Sequence, residues 1–153
     1  MTTPVLDGVT ARDVTTDRLR TRVLFTGPDE VIPVLFIHGN FSNATWWEET
    51  MLALPARFRG IAPDLRGYGG ADPEAKIDAT RGMGDFVDDA IALMDHMDYE
   101  RFHLVGNSLG GLVVWWMLAD TPRRLLSVTL AGPGAPFVFG GTRDADVTPT
   151  TPD

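Results

Sequence analysis

The chain has 153 residues, 44% of them hydrophobic, which is enough to bury one core and too few for two full domains. Its net charge of −8 opposes a phosphate backbone, so nucleic acid is excluded as a partner and a neutral small molecule is expected. Cysteine is absent, which removes thiol nucleophiles, disulfides and cysteine metal sites.

Met1 to Thr10 shows no basic stretch leading into an apolar run, so no signal peptide is expected. The longest apolar stretches, Val34 to Ile37 and Leu112 to Ala119, are far shorter than the roughly 20 residues of a spanning helix. No membrane association is expected, and a cytoplasmic location fits. Arg20 to Thr26, followed by Gly27-Pro28, reads as an antiparallel strand ending in a turn. Val34-Leu35-Phe36-Ile37 is a continuous apolar run, the pattern of a parallel strand covered on both faces. Trp47, Met51 and Leu54 have helical spacing, which predicts a helix over Thr45 to Leu54 ended by Pro55.

A short strand over Phe58 to Ala62 leads into a glycine-rich turn, Asp64-Leu65-Arg66-Gly67-Tyr68-Gly69. Phe86, Ala90, Leu93 and Met97 then line one face of a helix over Asp85 to Met97. Phe102 to Val105 is a second buried strand, and Leu109 to Ala119 is so apolar that a mostly buried helix is expected, ending at Asp120-Thr121-Pro122. Val128 to Leu130 reads as a further strand. Gly132-Pro133-Gly134 then opens a tail, residues 135–153, with neither helical nor strand period. Strands alternating with helices predict an α/β fold with a mostly parallel, doubly wound sheet.

Gly106-Asn107-Ser108-Leu109-Gly110 stands between the second buried strand and the apolar helix. This Gly-x-Ser-x-Gly pattern, in that setting, is a nucleophile elbow. The serine occupies a sharp turn and the glycines let helix and strand approach, with Gly111 adding clearance. A plain strand-to-helix turn with a capping serine is the competing explanation. A serine hydroxyl attacking a carbonyl creates an oxyanion that needs two backbone N–H donors. The Leu109 amide, at the helix N-terminus, is one candidate. The second is sought in His38-Gly39-Asn40-Phe41, after the first buried strand, where Gly39 is expected to supply an unusual backbone angle. Asn40 is the first choice and Phe41 the alternative. Asn107 and Phe41 are also candidate substrate contacts.

The His38-Gly39-Asn40 loop, the turn from Asp64 to Gly69 and Gly106 to Gly111, in this order, resemble the α/β-hydrolase superfamily. The match runs from about residue 20 to residue 141. It is most similar to the branch of esterases, enol-lactonases and C–C bond hydrolases that carry a helical cap after the sixth strand. The resemblance implies Ser108 as nucleophile and the amides of Asn40 and Leu109 as oxyanion hole, with no cofactor or metal. Epoxide hydrolases and haloalkane dehalogenases of this superfamily place an aspartate where Ser108 stands. Many relatives end the glycine-rich loop with a serine at the position of Ala71.

A catalytic serine needs a histidine and a supporting acid. Three histidines occur. His38 lies in the oxyanion loop, where the family pattern is structural; His96 ends a helix; His103 begins the elbow strand at the end remote from Ser108. None serves as base. No carboxylate follows the last strand at Ala131-Gly132-Pro133, and Asp144 and Asp146 read as solvated charges. Residues 1–134 are therefore expected to be the N-terminal part of a hydrolase core truncated after about the sixth strand. The acid, the base, the cap and the last strands would lie beyond residue 153. The last strand would be an open edge prone to self-association. The activity expected of the whole is hydrolysis of an ester, lactone or related carbonyl compound, the fragment alone being inactive. A non-catalytic ligand-binding or scaffold protein on the same fold is the alternative.

Trp46, Trp47, Trp115 and Trp116 are expected in or beside the core rather than in an acyl pocket. Asp85, Asp88 and Asp89 are expected to complement a helix N-terminus and face water.

Overall fold

The computed structural model describes residues 3–133; the tail expected over 135–153, with Asp144 and Asp146, lies outside the described residues. Six strands form one sheet: β1 (Thr10–Thr15), β2 (Arg20–Thr26), β3 (Ile32–Ile37), β4 (Phe58–Pro63), β5 (Phe102–Ser108) and β6 (Leu125–Pro133). Their spatial order is β1-β2-β4-β3-β5-β6. β1 and β2 form an antiparallel pair, and β2 is antiparallel to β4. β4, β3, β5 and β6 run parallel. The chain therefore leaves β3 toward one side to form β4, then crosses back to form β5 on the other. Such a reversal opens a crevice beyond the carboxyl ends of β3 and β5, where ligands of open α/β sheets bind.

Alternation along the strands divides the core between the two faces. Leu35, Ile37, Val23, Phe25, Ile61 and Leu104 point to one face, against Phe86, Ala90 and Leu93 of α2 (Gly84–His96) and Val113 and Met117 of α3 (Leu109–Asp120). Val34, Phe36, Leu24 and Ala62 point to the other, against Trp47 and Met51. Each fully buried side chain of this size contributes roughly 1.5–3 kcal/mol by leaving water. The doubly wound, mostly parallel sheet read from the apolar runs is thus the observed architecture.

Four local expectations need correction. β1 was not anticipated: Thr-Ala-Arg-Asp-Val-Thr carries no apolar run because this edge strand is largely exposed. The helix expected over Thr45 to Leu54 is a 3-10 turn, Ala44–Trp47, running into a short α1, Glu48–Leu52, because Asn43 caps the turn by accepting the Thr45 N–H. α3 is not mostly buried, since Trp115, Trp116 and Leu118 form an exposed apolar face. Of the four tryptophans only Trp47 is buried, while Trp46 is exposed.

The acidic cluster on α2 also departs from expectation. Asp85 and Asp89 are buried rather than hydrated. Arg66 grips Asp89 with two hydrogen bonds of 2.7 Å, and Arg18 Nε adds a third at 3.1 Å. Asp85 accepts the Asp78 N–H and pairs with Arg81. The Asp78 N–H, more than Arg81 and Arg66, holds the Asp85 carboxyl below the usual carboxylate range against the desolvation that raises it. This network fixes the glycine-rich turn after β4 onto α2.

Candidate active site

β5 passes directly into α3, and Ser108 is the joint. Its backbone angles, φ 53° and ψ −114°, are costly for a residue with a side chain, and its side chain is exposed at the end of the strand. Gly106 and Gly110 make the joint possible. A Cβ on Gly106 would come within 2.5 Å of Val114 Cγ2, and one on Gly110 within 2.7 Å of the His38 carbonyl oxygen. Gly111 is buried in the same turn of α3. Leu109 is the first residue of α3, so its N–H has no partner within the helix and lies at the positive end of the helix dipole.

The loop after β3 rests on this joint. A Cβ on Gly39 would lie 2.9 Å from Asn107 Oδ1 and 3.1 Å from Ser108 Cβ. Glycine is required here by close approach, and the positive φ of this loop is at Phe41, at 54°. His38 is fully buried, with its Nε2 accepting the Leu65 N–H at 3.0 Å, so Nδ1 carries the proton and donates to the Gly39 carbonyl at 2.8 Å. Burial pushes the imidazole pKa down, outweighing the Gly39 carbonyl and Asp64, which raise it. The Gly39 carbonyl and the Asn40 N–H belong to one planar trans peptide and point in opposite directions. Fixing the carbonyl therefore fixes the direction of the Asn40 N–H.

The two candidate donors of this loop differ. The Phe41 N–H is committed to Asn40 Oδ1 at 3.1 Å, while the Asn40 N–H has no acceptor among the described residues. The Phe41 ring is 97% exposed. Asn107 is engaged sideways: its Nδ2 donates to the Ala131 carbonyl at 2.8 Å, tying the joint to β6.

A third segment, the glycine-rich turn, completes the surround. Asp64, 1% exposed, accepts the Ala44 N–H and the Gly70 N–H, both at 2.7 Å, and so binds the turn to the segment after the His38–Phe41 loop. Ala71 is buried and its N–H closes the turn on the Tyr68 carbonyl at 3.0 Å. Tyr68 lays its ring edgewise on His38, centroids 5.3 Å apart, and donates its hydroxyl to Asn40 Oδ1 at 2.6 Å. Sequence reasoning missed Tyr68; its only signal was an aromatic inside a turn built of glycines.

The sequence matches the model of the alpha/beta hydrolase fold family over residues 32–151. The chain belongs to the α/β-hydrolase family. It is 26% identical over 119 residues to the uncharacterised carboxylesterase nap of Bacillus subtilis, covering 78% of this chain and 39% of that protein. To epoxide hydrolase 3 of Siraitia grosvenorii it is 29% identical over 143 residues, covering 88% and 44%. Among solved structures, the 2-hydroxy-6-oxo-6-phenylhexa-2,4-dienoate hydrolase of Rhodococcus sp. strain RHA1 superposes with a TM-score of 0.75 at 28% identity, covering 82% of this chain and 46% of that one. The chain spans less than half the length of each of these relatives.

No histidine of this α/β-hydrolase chain is placed to activate Ser108. Both ring nitrogens of His38 are engaged away from it. His103 pairs in register with Val34 near the start of the parallel strands, its Nδ1 2.7 Å from Ser127 Oγ. Ser108 lies five residue steps further along the extended strand, about 16 Å away. His96 closes α2. Among the described residues no group of three His, Asp or Glu side chains could hold a metal ion, and no helix is long and apolar enough to cross a membrane.

Proposed function

We propose that this chain carries the nucleophile and oxyanion hole of a serine hydrolase that cleaves carboxylic esters, lactones or related carbonyl compounds. The observation that carries the proposal is Ser108, exposed on a left-handed backbone at the end of β5. The N-terminus of α3 lies behind it, and Gly39 packs against it. Ser108 Oγ attacks the carbonyl carbon while its proton passes to a general base. The carbonyl electron pair becomes an oxyanion facing the N–H groups of Asn40 and Leu109, a pair of donors whose individual loss typically costs 10²–10³ in rate. Collapse expels the alkoxide, which takes the proton, and leaves an acyl group on Ser108. Water then attacks by the same route and releases the acid.

The base and its supporting carboxylate come from polypeptide beyond these 153 residues, since the three histidines present are placed elsewhere. The exposed Phe41 ring and Asn107 are the proposed flanking contacts for the substrate, and no cofactor enters the scheme. The names of relatives range over carboxylester, epoxide and carbon–carbon bond hydrolysis, and the residue at the joint favours carbonyl chemistry among them. A serine adduct with a carbonyl collapses to an ester that water cleaves, whereas a serine adduct with an epoxide would be an inert ether.

The test is a pre-steady-state assay of the native full-length protein with a p-nitrophenyl ester. The proposal predicts a stoichiometric burst of nitrophenol and an acyl adduct on Ser108 in acid-quenched samples. Turnover with neither burst nor adduct, unchanged in Ser108→Ala, would remove it. No turnover and no adduct would favour a non-catalytic member of the family.

A further inference from the structure

We infer that Tyr68 is a positioning residue for the oxyanion hole, acting through the side chain of Asn40; the inference rests on the serine-hydrolase reading above. Asn40 is exposed, and an exposed asparagine side chain ordinarily samples several rotamers. Here its Oδ1 accepts two hydrogen bonds, from the Tyr68 hydroxyl at 2.6 Å and from the Phe41 N–H at 3.1 Å. The first of these comes from a rigid support. The Tyr68 N–H donates to the Leu65 carbonyl at 2.9 Å, its carbonyl accepts the Ala71 N–H, and its ring lies on the buried His38.

The second bond orients the Asn40–Phe41 peptide, beyond which Phe41 stands at φ 54°, a conformation that a large non-glycine side chain adopts only when its surroundings impose it. Tyr68 thus fixes Asn40 Oδ1, and Oδ1 fixes the Phe41 N–H. The peptide on the far side of Asn40 is already fixed by His38, so both peptides flanking the Asn40 α-carbon are held. That leaves the Asn40 N–H as the donor of this loop free to face Ser108. The Tyr68 hydroxyl has a single proton, committed to Asn40, so it acts on the hole indirectly rather than as a third donor.

Tyr68→Phe removes the hydroxyl and keeps the ring on His38, and Asn40→Ala removes Oδ1 and keeps the backbone N–H. Phosphonylation of Ser108 by a fluorophosphonate is followed in the native full-length protein for the wild type, each single variant and the double variant. Rate is measured against probe concentration, and thermal midpoints are recorded alongside. Each single variant should lower the maximal rate about tenfold, the scale of one lost hydrogen bond, with the half-saturating probe concentration unchanged. The double variant should be no slower than either single one, because both break the same link. Wild-type rate in Tyr68→Phe, losses that multiply in the double variant, or a change confined to half-saturation would overturn the assignment while leaving Ser108 as nucleophile. A wild-type protein that does not label at Ser108 overturns both.

Discussion

Gly110 lies directly against the peptide of His38: a methyl group on its α-carbon would sit 2.7 Å from the His38 carbonyl oxygen and closer still to that of Ile37. The helix that begins at Leu109, a proposed oxyanion donor, is therefore in backbone contact with the end of β3, from which the loop of Asn40, the second proposed donor, departs. Because the obstructing atoms are backbone, they cannot rotate away. Gly110→Ala should lower the free energy of unfolding by about 3 kcal/mol, read from urea denaturation. A loss under about 0.5 kcal/mol, typical of a surface change, would mean that this contact is looser than described.

Ser108 carries a backbone strain that only glycine escapes. Its φ of 53° predicts that Ser108→Gly is more stable than Ser108→Ala by about 1 kcal/mol, even though glycine gains entropy in the unfolded chain. Equal urea midpoints for the two variants would show that the joint is unstrained.

Burial depresses the pKa of His38 from its ordinary 6.5. Above 6.5 the imidazole is neutral in both folded and unfolded chains, and its contribution to stability is fully present. As pH falls through 6.5 toward the lower folded value, the unfolded chain takes up a proton that the folded chain refuses, and stability is lost. Wild type should therefore lose more stability than His38→Gln between about pH 7 and about pH 5, measured as urea midpoints. Parallel profiles would contradict the neutral, doubly bonded imidazole.

Arg66 and Asp89 form a two-point ion pair that is almost wholly buried. Removing one partner strands the other charge, so Asp89→Ala should destabilise by about 3 kcal/mol, and it should cost more than the paired replacement Arg66→Met with Asp89→Leu. Calorimetric unfolding of the three chains checks the order. A double variant that loses more stability than Asp89→Ala would contradict the pairing of the two side chains.

The residues differ in how openly they declare these arrangements. Val34 to Ile37 is apolar without interruption, and Phe102 to Val105 is broken only by His103, because parallel strands are covered on both faces, so the centre of the sheet is written locally. Gly106 likewise reports a collision avoided with its chain neighbours Gly110 and Val114, whereas the atoms that Gly110 avoids belong to Ile37 and His38, far away in the sequence. Asp85 and Asp89 do not declare their burial, because Arg18 and Arg66, which make it tolerable, come from distant turns. Gly39 was read as a backbone angle because its true neighbours, Asn107 and Ser108, are nearly 70 positions away. The bond from Tyr68 to Asn40 is hidden for the same reason: nothing in either segment names the other.

The most direct test of the central claim is intact and peptide mass spectrometry after incubation with a fluorophosphonate. Three samples are compared: the native full-length protein, its Ser108→Ala variant and the 153-residue chain. The account predicts one adduct on the native protein, located at Ser108, none on Ser108→Ala, and slow or absent labelling of the 153-residue chain, whose three histidines are placed away from Ser108. An unlabelled native protein, or an adduct that persists in Ser108→Ala, would contradict it.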